Sequence, residues 1–468
     1  MNKQLKEDLF LIDEILQATT MQGLDYLKAI NNRNTSTTSE IKIESNLNYE
    51  GFGALKTIDE FNKRLESIIV SSSGPRYWGL VTGGTTPAAI VGDWLTTIYD
   101  QNTFATSGQG DISALIESET INLLLDFFEL PKTFLGGFVT GATMSNFTCL
   151  AVARQWIGSE LKTDFAKEGL TQKIHILSAN QHSSSVKSIS LLGMGSKNII
   201  PVNTLKGNRE AIDVHDLELE IEKLNSEPFI LISSAGTVNT VDFDNFEKIS
   251  KLKKKYRFWW HIDAAFGAFA MCSESHKHLL KGWENADSIT IDCHKWLNVP
   301  YESAVFFVNE KFKNLQVETF QNSNAPYLGN PLENFSYLNF LPENSRRLKA
   351  LPVWFTLKAY GKKGYSEIVV NCINLANQFG KFIEESDHFQ LLAPVRLNTV
   401  CFSLKGIKNQ QKIESFLVSL NETKKVFMTP TVYKEQKGIR ASFVNWRTTQ
   451  EDIELAIKLM IKTIKEIE

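Results

Sequence analysis

The segment Asp287–Pro300, DSITIDCHKWLNVP, decides how this chain is read. Its first half, Ser288–Ile291, is a short β-like run that carries the backbone inward. The run ends at Asp292-Cys293-His294-Lys295-Trp296. A lysine just past a buried strand, beside a bulky aromatic, is partly stripped of water. Burial disfavours the ammonium form, and the amine left behind is a nucleophile; Schiff-base lysines arise in this way. A lone lysine at a strand end is ordinarily a surface residue, so the weight on Lys295 comes from the segments around it.

Outward from this segment, residues 73–352 alternate apolar runs of strand length with helical stretches. The expected strands are Ile174–Leu177, Phe229–Ser233, Phe258–Ile262, Ser288–Ile291 and Ala304–Val308, with helices such as Asn245–Lys255 between some of them. Strands that are apolar throughout are buried on both faces, which implies a mostly parallel sheet covered by helices. In such sheets ligands sit beyond the carboxyl ends of the strands. The expected fold class is therefore α/β. Residues 1–72 read as an N-terminal helical segment with a polar gap at Asn31–Ser45, whose apolar faces need a partner for packing. Residues 353–468 read as a smaller α+β unit. A helical region over Val353–Glu385, broken near Gly361 and Gly364, leads to strands at Phe389–Leu392, Val400–Leu404, Lys425–Met428 and Gly438–Val444. The last helix opens on a capping box, Thr448 with Glu451.

Composition bounds the partners. The chain has 468 residues, a net charge of -3, 43% hydrophobic and 22% charged residues, an ordinary globular balance. It gives no reason to expect nucleic acid or a membrane surface. The densest basic run, Lys253–Lys255, reads as the solvated end of a helix. No apolar stretch approaches the ~20 residues of a membrane span. The start, MNKQLKEDLFLIDEIL, mixes acids and bases through its apolar positions, unlike a signal peptide. Five widely spaced cysteines without a CxxC pair read as reduced core thiols of a cytoplasmic protein. The eight histidines form no zinc pattern, and no metal is expected.

Four further segments fall at strand ends. VTGATMSN (Val139–Asn146) is a glycine turn opening a helix, which offers free backbone N–H groups to an anion such as a phosphate. It lacks GxGxxG and the Walker lysine, so a nucleotide ranks low. FWWHIDAAFG (Phe258–Gly267) places Asp263 at the end of a strand too apolar to be exposed. A buried carboxylate needs a cation, and Ala264 and Ala265 leave flat space beside it; the alternative is an Asp that caps the next helix. NQHSSSVKS puts His182 where a loop leaves a strand, a position more often filled by an ordinary loop histidine. SSAGTVNTVDFD adds Gly236 and Thr237, by themselves only a turn. Together they set a phosphate cradle, a stacking imidazole, a buried carboxylate and a lysine along one sheet edge. These are the parts that hold pyridoxal 5′-phosphate (PLP).

At this point the chain resembles the group II PLP-dependent amino acid decarboxylases of fold type I, which include aromatic-L-amino-acid, histidine, glutamate and diaminobutyrate decarboxylases. HIDAAFG is similar to the family's His-x-Asp-Ala-Ala segment and DCHKWLNVP to its His-Lys-Trp segment. The likeness runs from about Tyr77 to the C-terminus. It implies Lys295 as the Schiff-base lysine, Asp263 as partner of the ring nitrogen, Ala265 under the ring and His182 stacked over it. Ala142 and Thr143 would bind the phosphate with His294 nearby, and Thr237 would lie near the ring or substrate. GLVTGGTTP resembles the segment whose threonine, here Thr82, meets the substrate carboxylate. DQNTFAT resembles a loop that reaches the partner subunit's site, with Phe104 as the side chain expected to meet the substrate there. SNAPYLGN looks like the mobile catalytic loop, with Tyr327 as proton donor to the α-carbon. Aldehyde-forming relatives carry phenylalanine there. SRRLKALPVW is similar to the family's Ser-Arg-Arg segment.

The resemblance implies a homodimer with shared active sites and loss of the α-carboxylate of an L-amino acid as carbon dioxide, leaving the amine. An aromatic substrate is favoured by Phe104, Trp78 and Tyr77, although Tyr77 and Trp78 equally suit a core. Glutamate or another non-aromatic substrate, an aminotransferase of the same fold, and a catalytically silent PLP-binding protein are the competing readings.

Overall fold

The computed structural model describes residues 2–106, 110–321, 335–406 and 411–467. Helices α1 (Lys3–Phe10), α2 (Ile12–Ala29) and α3 (Ala54–Arg64) form the N-terminal segment. None of the three fully buries a residue, so their apolar faces are only partly covered among the described residues. Helix α4 (Pro87–Tyr99) begins with Thr86 Oγ1 accepting the Ala89 N–H and proline in the first turn. Helix α5 (Ser113–Phe127) precedes the sheet, and α6 (Ala142–Glu160) follows its first strand.

The large sheet contains β1 (Phe134–Val139), β2 (His175–Ser178), β3 (Ile199–Pro201), β4 (Phe229–Ser234), β5 (Phe258–Asp263), β6 (Ser288–Asp292) and β7 (Ala304–Asn309). Their order is β1-β7-β6-β5-β4-β2-β3, and only β7 runs antiparallel to its neighbours. Every residue of β4, β5 and β6 is buried, as unbroken apolar runs require. The five expected strands are present within a residue or two. The short edge strand β3 carried no readable signal. Helix α6 lies on one face, where Ser145 Oγ meets Thr290 Oγ1 at 2.8 Å and the Val305 carbonyl at 2.9 Å.

The second sheet is antiparallel, ordered β10-β11-β9-β8, with β8 Phe389–Leu391, β9 Thr399–Leu404, β10 Thr429–Tyr433 and β11 Gln436–Ser442. The core on one side of the large sheet runs without interruption into this unit. The helix Ala350–Glu385 breaks at Gly361, whose φ of 57° a side chain would resist.

Three expectations are corrected. The third C-terminal strand is Thr429–Tyr433, not Lys425–Met428, because Phe427 is taken up by a bridge to Tyr77. Its hairpin turns at Lys434 and Glu435, both left-handed, without the glycine or asparagine that announces such turns. The last helix (Gln450–Ile467) is capped one residue later than expected. Asp452 accepts from the Thr449 N–H at 2.9 Å, while Thr448 Oγ1 donates to the Pro75 carbonyl. Asp452 also pairs with Arg76 at 2.6 Å, a contact made across the fold. Lys253 is not solvated: it pairs with buried Asp287 and donates to the Phe258 carbonyl, and burial lowers its pKa.

Candidate active site

A cavity of about 260 Å³ opens at the carboxyl ends of β2, β4, β5 and β6. His182, Thr237, Asp263, Ala265 and Lys295, expected from four separate segments, all line it. The parallel register explains the convergence: β5 pairs with both β4 and β6, and the Asp292 N–H bonds the Ala265 carbonyl at 2.9 Å.

Lys295 Nζ lies 2.9 Å from Asp292 Oδ2, and Asp292 is almost wholly buried. Its ammonium also sits 5.7 Å from the Phe266 ring centroid. The lysine loop is held by the turn after Trp78. A Cβ on Gly83 would fall 1.9 Å from the Lys295 carbonyl oxygen, so only glycine fits there. Fully buried Asn298 ties three segments. Its Oδ1 accepts from the Gly84 and Trp446 N–H groups, and its Nδ2 donates to the Trp296 and Val444 carbonyls. Leu80 and Val81, on the cavity wall, have φ of 59° and 55°. Left-handed backbone at a β-branched residue is strained and is typical of functional sites.

Asp263 accepts from Asn146 Nδ2 at 3.0 Å, the Ala265 N–H at 3.2 Å and Ser185 Oγ at 3.4 Å. All three are donors, and a carboxylate offers them acceptors only. His182 caps the helix Ser183–Leu191. Its Nδ1 accepts the Ser184 N–H at 3.1 Å, which leaves the neutral ring's proton on Nε2. Burial lowers the His182 pKa, against an opposing pull from Asp263. The Thr237 hydroxyl is engaged: it donates to Glu210 Oε2 and accepts the Asp242 N–H.

Ala142, Thr143 and His294 do not line the cavity. They lie around the start of α6, which has no side-chain cap. A Cβ on Gly141 would sit 3.5 Å from His294 Cε1, so the open helix end and the imidazole are neighbours. His294 Nδ1 accepts the Ser303 N–H, and Asp292 Oδ1 lies 3.7 Å from Nε2. A helix start with free donors, a carboxylate facing the cavity and an amine beside it fit a phosphate, a protonated ring nitrogen and an aldehyde respectively.

Thr82 is buried next to Leu80 and Val81 but is not part of the cavity wall. Phe104 is also away from its own chain's cavity, and its carbonyl is fixed by the Tyr337 N–H at 2.9 Å. Tyr327 lies outside the described residues. Trp78 is a core residue, packed on Phe379 and Phe443, and Tyr77 stacks on Phe427 at 4.6 Å. Neither therefore argues for an aromatic substrate. One wall residue lies outside every segment singled out for the site in the sequence: Arg440 on β11, with its Nη1 donating to the Val238 carbonyl and its buried Nε without a partner among the described residues. Nothing local marks it, since it arrives from the second sheet.

The model of the pyridoxal-dependent decarboxylase conserved domain matches residues 42–405. The chain belongs to this family. It is a PLP-dependent carboxy-lyase with the fold type I architecture. It is 27% identical over 438 residues to an aromatic-L-amino-acid decarboxylase of Bacillus atrophaeus, covering 91% of this chain and 88% of that one. It is 26% identical over 423 residues to a 3,4-dihydroxyphenylacetaldehyde synthase of Aedes aegypti, covering 86% and 78%. The structure of Oryza sativa TDC with PLP and tryptamine superposes with a TM-score of 0.89 at 18% identity, covering 98% of each chain. At that identity the superposition speaks for the fold. Among the described residues no helix is long and apolar enough to cross a membrane.

Proposed function

We propose that this decarboxylase removes the α-carboxylate of an aromatic L-amino acid and releases the corresponding amine. The observation that carries the reading is the meeting of Lys295, Asp263, Ala265 and His182 in one cavity. PLP, when bound, supplies a sink for the electron pair that stays behind when carbon dioxide leaves. Lys295 Nζ is the amine that tethers it. Asp263 holds a proton at the ring nitrogen, the electrostatic task on which the sink depends. Ala265 gives the ring a flat seat. The first turn of α6 and His294 hold the phosphate. His182 presents an Nε2 proton, and Tyr327 is the proposed donor to the α-carbon.

Arg440, on the cavity wall, is proposed to orient the departing carboxylate. Every amino acid carries that one carboxylate, so Arg440 needs no acidic side chain as its partner. Leu80, Val81, Val238 and Phe266 give the cavity apolar walls, and curated relatives named for aromatic substrates point the same way. Carbon dioxide release from a panel of aromatic, acidic and basic L-amino acids tests the reading. Preferential turnover of L-glutamate overturns it, and keto-acid production without carbon dioxide overturns decarboxylation itself. Tyr327→Phe is expected to divert part of the flux, with dioxygen, to aldehyde, ammonia and hydrogen peroxide.

A homodimer with shared active sites is part of the proposal. It is supported by the uncovered apolar residues of α1, α2 and α4, among them Phe10, Leu16, Trp94 and Ile98. A cytoplasmic setting is supported by five free cysteines, four of them buried.

A further inference from the structure

Four buried side chains reach Asp263 from behind the cavity. Trp259 Nε1–H donates to Ser288 Oγ at 2.9 Å, and Ser288 Oγ lies 2.9 Å from His261 Nδ1. His261 Nε2 lies 3.0 Å from Asn146 Oδ1, and Asn146 Nδ2 donates to Asp263 Oδ2 at 3.0 Å. Trp259, Ser288, His261 and Asn146 are all 0% exposed. The placement follows from the strands. His261 and Asp263 are two apart on β5 and share a face, and His261 is the register partner of Ser288 on β6.

The chain of bonds has one direction, set at its ends. An indole N–H only donates and a carboxylate only accepts. Ser288 therefore accepts from Trp259 and turns its own proton to His261 Nδ1. His261 then carries its proton on Nε2 and gives it to Asn146 Oδ1. With its oxygen engaged, Asn146 must turn its NH2 toward Asp263. A flipped amide would set an oxygen against the carboxylate and an N–H against an N–H. Burial pushes His261 down to about 4, which keeps the ring neutral and the relay in this sense near neutral pH. The amide nitrogen also lies 3.1 Å from Ser184 Oγ, which is 2.7 Å from His182 Nδ1. One amide thus braces two groups of the cavity wall, Asp263 directly and His182 through Ser184.

We propose that Asn146 and His261 are positioning residues that fix the Asp263 carboxylate against the cofactor's ring nitrogen, making the site selective for a ring that carries a proton there. The inference rests on the assignment of Asp263 to that nitrogen. It separates the two residues from ordinary core packing, because only their effect on the nitrogen is specific.

The test titrates the full-length apoenzyme with PLP and with the analogue in which ring nitrogen is replaced by C–H. Dissociation constants are read from the absorbance band. Asp263→Asn is expected to erase most of the preference for PLP; a preserved preference defeats the assignment of Asp263 itself. Asn146→Leu and His261→Phe are each expected to cut the preference by about tenfold, the scale of one hydrogen bond to a charged group. Affinity for the analogue should stay within about twofold. Ser288→Ala, which barely changes volume, releases the His261 tautomer and should act in the same sense if the larger changes fail to fold. Parallel weakening of both ligands, or an unchanged preference in these variants while Asp263→Asn loses it, overturns the inference and leaves the assignment of Asp263 standing.

Discussion

Lys295, on the cavity wall, pairs at 2.9 Å with the buried Asp292, so removing the lysine has two separable consequences. Lys295→Ala should abolish the cofactor's absorbance band and cut turnover by more than about 10⁴-fold, as when a covalent nucleophile is lost. It should also destabilise the apoenzyme by about 3–5 kcal/mol, because Asp292 is left buried without its counter-charge. Adding Asp292→Asn should restore most of the stability and none of the turnover; denaturant melts and a carbon dioxide assay on the two variants decide this. His261 contributes to the pH dependence of stability. Its folded pKa, about 4, lies below the ordinary 6.5 because of burial. In that window the unfolded chain takes up a proton that the folded chain refuses. The contribution of this imidazole is therefore whole above 6.5 and falls as pH drops toward 4, by at most about 1.4 kcal/mol per pH unit. Replacing His261 with Phe should reduce the slope on the acid side of the stability profile, leaving the part owed to His182 and His294. An unchanged slope would show that this imidazole is not the group responsible.

Elements meet at a few contacts that tolerate little change. The turn carrying Gly83 passes so close to the Lys295 carbonyl that a methyl would stand at 1.9 Å. Gly83→Ala must displace either the turn or the lysine loop, and a shift near ~1 Å at such a site costs about 10²-fold in kcat/KM. Kinetics and the cofactor band should report this even if the melting temperature hardly moves. A second junction is Arg346, whose Nη2 pairs with fully buried Glu117 at 2.6 Å and bonds the Phe138 carbonyl. The Arg346 Nη1 also reaches the Thr103 carbonyl, beside Phe104. Glu117→Ala should destabilise the fold by about 3–5 kcal/mol, since it strands a buried guanidinium. A loss under about 1 kcal/mol in urea melts would mean that water reaches Arg346.

At the scale of the whole molecule, the N-terminal helices carry apolar residues that the chain leaves in water. Phe10 is 88% exposed and Leu9 64%. On an isolated chain, Phe10→Asp would be nearly neutral for stability. In the proposed dimer it buries a charge, so sedimentation should show dissociation, and activity per chain should fall with it. If the variant sediments and turns over like the wild type, α1 is not at the interface.

The meeting of Lys295, Asp263, Ala265 and His182 at one cavity was legible in the sequence because each follows or ends a strand whose apolar run is a local signal. The topology of a parallel sheet then brings such ends together whatever the loops contain. The break at Gly361 was legible for the same reason, since backbone preference is local. Arg440 was not, because it comes from a different sheet, and β10 was displaced because Phe427 found a partner in Tyr77. Trp78 could be assigned to core or pocket only once Phe379 and Phe443 had closed around it. Asn146 and His261 carry no signal of their own, as their roles depend on which neighbour holds which proton. Local patterning by itself determined the strands, and with them the sheet edge at which the cavity's side chains gather. Only tertiary packing decided the contacts, because hydrogen bonds and close approaches between distant segments depend on distances that the linear order of residues does not contain.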